Sequence, residues 1–217
     1  MKSPFAAMLL LAGLATAQES VTAPAETPLP VQAKAPSLEI SLKAGGHFPQ
    51  VLSKLGLSFD TSINVGFAPF SGHQLQFFIG LGYSQPGQTV AASDSRLGAS
   101  GSDYTSTMVM RDLSTSLGTK YFFVPPSHFL VPYAGLGLRV HFLRADVQGT
   151  GGADFGKYRE TDTRFGGLVF AGAGLHLGPG LLLAELTFDY SPIGQRVTGE
   201  ANVGALAVVL GYGLLLF

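Results

Sequence analysis

From Leu38 onward, apolar and polar residues alternate along this chain with a period of two, and that rhythm returns again and again. Such alternation marks a β-strand with unlike faces, because successive side chains leave a pleated backbone on opposite sides. Leu38, Ile40, Leu42 and Ala44 alternate with Glu39, Ser41, Lys43 and Gly45. Leu57 to Phe67 and Leu75 to Tyr83 repeat the pattern, with Phe78 breaking it. Leu113 to Tyr121, Ala134 to Phe142, Gly167 to Leu175 and Leu182 to Tyr190 supply four more strands. The last, from about Asn202 to Phe217, is apolar at both parities and has no readable orientation.

Eight such strands still fit either a soluble sheet or a membrane barrel, and composition separates the two. Hydrophobic residues make up 46% of the 217 residues and charged residues only 12%, about half the charged share of a soluble domain. Yet no run reaches the roughly 18–20 apolar residues that a helix needs to cross a bilayer. The run from Ala205 to Phe217 is short and broken by Gly211 and Gly213. A closed barrel resolves the conflict, since alternate residues meet lipid while every backbone group is paired between strands. The expected fold is therefore all-β, an eight-stranded antiparallel transmembrane up-and-down β-barrel.

The flanking segments fit export. Lys2, the apolar stretch Phe5 to Ala15 and the small residues Ala15-Thr16-Ala17 read as a cleavable signal peptide over 1–17. Residues 18–37, with Pro24, Pro28, Pro30 and Pro36, read as a disordered periplasmic segment, and 38–217 as the barrel. The absence of cysteine excludes disulfides, thiolate metal sites and a cysteine nucleophile. With a formal charge of -1 and no basic run, nucleic acid is not an expected partner.

Link lengths add topology. The links at Pro69–His73, Phe122–Phe129 and Gly178–Gly180 are compact and rich in Pro or Gly. Those at Gln85–Asp103 and Arg144–Thr161 are long and polar, so they read as external loops, the first of them, rich in Gly, Ser and Ala, as mobile. Aromatic residues at strand ends form two candidate girdles: Phe67, Phe77, Tyr121 and Phe129 below, Phe59, Tyr83, Phe142 and Tyr190 above.

The textures Tyr133-Ala134-Gly135-Leu136-Gly137-Leu138 and Phe170-Ala171-Gly172-Ala173-Gly174-Leu175, with the signal sequence and terminal Phe217, resemble the OmpA-type family of small outer-membrane barrels, which includes OmpX- and OmpW-like proteins. The resemblance covers 38–217 and rests on texture, without a diagnostic motif. It implies a bacterial outer-membrane location, with membrane lipid and lipopolysaccharide as surroundings. It also implies that Phe217 is an assembly signal read by the barrel-assembly machinery. No ligand for the external loops is legible.

Placing the apolar parity on lipid encloses Glu39, Asp60, Asp112, Glu185 and Asp189 with Lys43, Lys120, Arg139 and Arg164. Confined, nearly balanced charges pair rather than stay separately solvated, and an eight-stranded barrel is narrow enough for side chains to fill. A plugged, salt-bridged lumen follows, and with it a non-enzymatic structural or interaction role. A narrow pore or hydrophobic-ligand conduit is one rival. A lipid-modifying hydrolase is another, built on His47, Asp60 and His141 with Ser58 nearby, but no nucleophile motif accompanies them. The same residues lack metal-ligand spacing, Gly172-x-Gly174 lacks the helix a dinucleotide loop needs, and no cofactor is expected. Arg111 falls on the lipid-facing parity, at the outer end of its strand, where it could meet a lipopolysaccharide phosphate or snorkel into water.

Overall fold

A computed structural model describes residues 37–68, 74–93, 103–151, 157–193 and 201–216. The expected signal peptide, nearly all of the proline-rich segment and Phe217 lie outside these residues. Nine strands follow in chain order: β1 (Ser37–Phe48), β2 (Ser58–Ala68), β3 (Leu75–Ser84), β4 (Gly87–Ser93), β5 (Asp103–Phe122), β6 (Leu130–Gly151), β7 (Lys157–Leu177), β8 (Gly180–Tyr190) and β9 (Leu206–Leu216). Each pairs antiparallel with its neighbours, and β1 closes the ring against β9 over eleven residue pairs, from Leu38↔Leu216 to Phe48↔Leu206. β3 and β4 share one position in the ring because both pair with β5. The result is a closed eight-stranded barrel with no unpaired edge at the level of β1 and β9.

The break between β3 and β4 falls at Gln85 and Pro86. Proline has no N–H for the ladder, but its carbonyl still accepts a 2.9 Å bond from Met110 N. At the opposite end of the barrel β7 turns into β8 through Gly178 and Pro179. Gly178 has φ 61°, a left-handed conformation that glycine adopts without strain.

Burial is inverted relative to a soluble protein. Leu138 and Phe165 are 70% and 73% exposed, whereas Glu39 and Asp189 are 1% and 2% exposed. Both sets follow strand parity, so the outer wall is apolar and the lumen is polar through its middle. Leu113 to Tyr121 on β5 spans about 27 Å of strand, which tilt shortens to a little over 20 Å, close to the roughly 25 Å apolar band of a membrane barrel. The girdle aromatics named above all stand exposed on this wall. The unreadable last strand has Ala207 and Val209 inside, Val208 and Leu210 outside.

Two expectations need correction. Gln85–Asp103 is not all loop, because Gly87–Ser93 is β4 and pairs with Asp103–Val109. Nor is Arg144–Thr161, since β6 runs on to Gly151 and β7 begins at Lys157. The apolar alternation that marks a strand in this chain is imposed by lipid. Beyond the belt the outer face turns polar at Arg111, Arg144 and Thr161 while Met108, Met110 and Leu143 are buried inside, so the ladder continues while the lipid-imposed signature stops. Consequently β4, β5, β6 and β7 form a sheet that projects past the membrane band on one side. The end with the short turns carries the start of β1 and the end of β9, and is the periplasmic end in the usual arrangement of such barrels.

The lumen is layered. Near the periplasmic end Phe122, Val131, Tyr133, Leu168, Phe170, Leu181, Leu183 and Leu215 form an apolar layer. Phe170 packs edge-on against Phe78 and Tyr133 at 5.4 and 6.3 Å between ring centres. Glycines make room for these rings: a Cβ at Gly135 would run into the Phe170 ring, and one at Gly172 would lie 2.8 Å from Tyr133. Near the external end Leu55, Met108, Met110, Leu143, Ile193 and Val203 form a second apolar layer. Leu55 comes from the β1–β2 link and Ile193 and Val203 from the described ends of the β8–β9 link, so these residues turn into the barrel.

Candidate functional site

Between the two apolar layers lies the part of the molecule where charge is concentrated. Glu39 on β1 accepts two bonds from Lys120 Nζ on β5, at 2.8 and 2.7 Å, and a third from Gln76 Nε2 at 3.2 Å. Lys43, four residues along β1 and on the same face, donates to Glu185 Oε2 on β8 at 2.6 Å. Glu185 also accepts from Tyr133 Oη at 3.0 Å and Thr187 Oγ1 at 3.2 Å. The ammonium of Lys120 lies 4.8 Å from the ring centre of Phe122 and 5.2 Å from that of Tyr133. Both lysines are thus bound by carboxylates on one side and by the apolar layer on the other, a favourable setting for a desolvated cation.

A second tier sits toward the external end. Arg139 Nη1 on β6 donates to Asp189 Oδ2 on β8 at 3.1 Å. His141 bridges two acids: Nδ1 lies 2.7 Å from Asp112 Oδ2 and Nε2 lies 3.0 Å from Asp189 Oδ2. Ser191 Oγ is 2.9 Å from His141 Nε2 and donates to Asp189 Oδ1 at 2.9 Å. Asp60 lines the central cavity together with Arg139. Arg164 bonds instead to Asp162, two residues away on its own strand. Strand parity identified which side chains turn inward but not which partner each one meets.

Ser191, His141 and Asp112 have the contact distances of a serine nucleophile, its base and an orienting carboxylate. Three observations separate them from a working set. Asp189 occupies the same ring nitrogen that would have to take the serine proton. The serine hydroxyl already donates to that same aspartate. Ser191 is fully buried. Ser191 escaped the sequence reading because it stands one residue beyond the last alternating position, Tyr190. His47, Ser58 and Asp60 come together on β1 and β2, with His47 opposite Ser58 in register, but His47 Nδ1 and Ser58 Oγ have no hydrogen-bond partner among the described residues, and His141 bonds instead to Asp112 and Asp189. Those residues hold no cluster of three or more metal-ligating side chains either.

The cavity left within the charged layer is small. It measures about 40 Å³ between Glu39, Lys43, Asp60, Lys120, Arg139 and Glu185, room for little more than a few waters.

No family model matches the chain, and no curated protein matches it. Solved structures do. A major outer membrane protein from Thermus thermophilus aligns over 84% of this chain and 100% of its own, with 14% identity and a TM-score of 0.54. Neisserial surface protein A aligns over 84% of this chain and 98% of its own at 20% identity and a TM-score of 0.47. The N-terminal β-barrel domain of Pseudomonas aeruginosa OprF aligns over 85% and 100% at 18% identity and a TM-score of 0.45. At these identities the likeness concerns the fold alone, which is that of the small outer-membrane barrels, and the exposed apolar wall is the surface such a location requires.

Proposed function

We propose that this outer-membrane β-barrel is a sealed, non-catalytic structural element whose projecting sheet offers contact surface outside the cell. The observation that carries the proposal is the packing of the lumen. Its cations are matched to carboxylates, the cavity between Glu39, Lys120 and Arg139 is about 40 Å³, and an apolar layer lies toward each end. An ion crossing the barrel would have to leave water at both apolar layers and displace a buried ion pair between them, each step costing several kcal/mol.

Planar-bilayer recording of the purified full-length protein tests this. The expected trace is flat across the voltage range that leaves the bilayer intact. Reproducible unitary steps that disappear when the protein is omitted would overturn the sealed reading in favour of a narrow pore.

The non-catalytic half has its own test. A fluorophosphonate that reacts with activated serines is expected to leave the folded protein unlabelled. Labelling that vanishes in either Ser58→Ala or Ser191→Ala would restore the hydrolase reading.

A further inference from the structure

We propose that Arg111 and Arg144, on the outer wall immediately above the apolar belt, bind the phosphate monoester of an outer-leaflet lipid whose acyl chain lies along Tyr83, Leu113 and Phe142. The placement follows from register. Tyr83, Leu113, Phe142 and Thr163 stand opposite one another on β3, β5, β6 and β7 and form the upper margin of the belt. One step outward on the same face, Arg111 pairs with Arg144 and Arg144 with Thr161. The two guanidinium groups therefore sit at headgroup height, side by side, with an apolar floor beneath them.

Local charge leaves these arginines available. Asp146 is the carboxylate that both arginines approach within 4 Å, and Arg159 on β7 takes it with a 2.7 Å bond from Nε. That bond holds the Asp146 carboxyl below its usual range, so it stays ionised at neutral pH and committed to Arg159. Arg111 Nη1 and Arg144 Nε reach the same aspartate only at 3.7 Å, beyond hydrogen-bond length. Arg144 Nε is shielded from solvent and has no hydrogen-bond partner among the described residues. Arg111 and Arg144 are nevertheless 47% and 42% exposed along their side chains. With Asp162 and its partner Arg164 included, four arginines stand against two aspartates, so the patch is positive, and exposed contacts of this length hold an arginine only weakly.

Shape agrees with charge. Tyr83, Arg111, Leu113, Phe142, Arg144 and Thr161 line an open hollow of about 610 Å³ on this wall, together with Asp162, whose carboxylate is bound by Arg164. Its lower part is apolar and its upper part carries the guanidiniums, as an amphipathic lipid requires. Planar guanidinium forks match the oxygens of a phosphate, and a dianionic monoester can engage both at once. A zwitterionic headgroup would bring its own cation against Arg159 and lose that advantage.

This inference uses the membrane orientation of the barrel but not the state of its lumen, so a conducting barrel would leave it standing. The test is native mass spectrometry of the full-length protein in a nonionic detergent, titrated with diphosphorylated lipid A, with the same lipid after dephosphorylation, and with inorganic phosphate. One lipid A per barrel is expected, retained at least about tenfold more strongly than the dephosphorylated lipid. The Arg111→Gln/Arg144→Gln protein is expected to lose that preference while keeping the heat-modifiable gel mobility of a folded barrel. Asp146→Asn, which removes the competing carboxylate, is expected to hold the lipid at least as tightly as the parent. Equal retention of the two lipids by the parent protein would overturn the proposal, as would unchanged retention by the double variant. Displacement of lipid A by millimolar inorganic phosphate would also overturn it, since the site would then belong to a free anion.

Discussion

Glu39→Ala should lower the stability of the folded barrel by about 3–5 kcal/mol, the cost of leaving one member of a buried ion pair without its partner. Glu39 is 1% exposed and receives both Lys120 contacts and the Gln76 amide. Without it the Lys120 ammonium faces the Phe122 and Tyr133 rings with its nearest hydrogen-bonding carboxylate gone. Replacing both ends together should behave differently. In Glu39→Leu/Lys120→Met no charge remains to be desolvated, and such double replacements are often neutral or stabilising. Urea titration in detergent micelles, followed by heat-modifiable gel mobility, reads both variants. If the double variant loses as much as the single one, or neither loses anything, the buried pair is not what that layer depends on.

Leu138→Arg should cost about 2–4 kcal/mol in phospholipid vesicles, the penalty for arginine on the lipid face of a barrel near the bilayer midplane. Leu138 is 70% exposed and lies midway between the two aromatic girdles on β6. On a water-exposed wall the same substitution would stay within about 0.5 kcal/mol. That contrast is the sharpest check on which way the wall faces. A refolding midpoint unchanged from the parent would mean that Leu138 does not contact acyl chains.

The part of the fold that lipid dictates was legible in the residues themselves. Leu113, Leu117 and Tyr121, or Leu182, Leu186 and Tyr190, face a uniform apolar solvent, so their parity survives as a hydropathy pattern. The interior was only half legible. Parity places Glu39 and Lys120 inside, but they are 81 residues apart, and their meeting depends on how the strands are staggered around the ring. Arg164 shows the same limit, since Asp162 on its own strand takes it. Leu181, Leu182 and Leu183 form an apolar run at both parities because one side meets lipid and the other an apolar layer of the lumen. Alternation is silent there. Ser191 and the outer halves of β5, β6 and β7 were missed for a related reason: each lies beyond the height at which lipid imprints a rhythm.

The ladder between β5 and β6 runs without interruption through nineteen pairs, from Tyr104↔Gly151 to Phe122↔Tyr133, and that between β6 and β7 through nineteen more. No hinge therefore separates the outer sheet from the wall that bears on the acyl chains. Such a mast would carry a sideways force on its tip down to the bilayer as a torque. Whatever grips this protein from outside must tilt the cylinder as one body or shear a row of hydrogen bonds along its whole length.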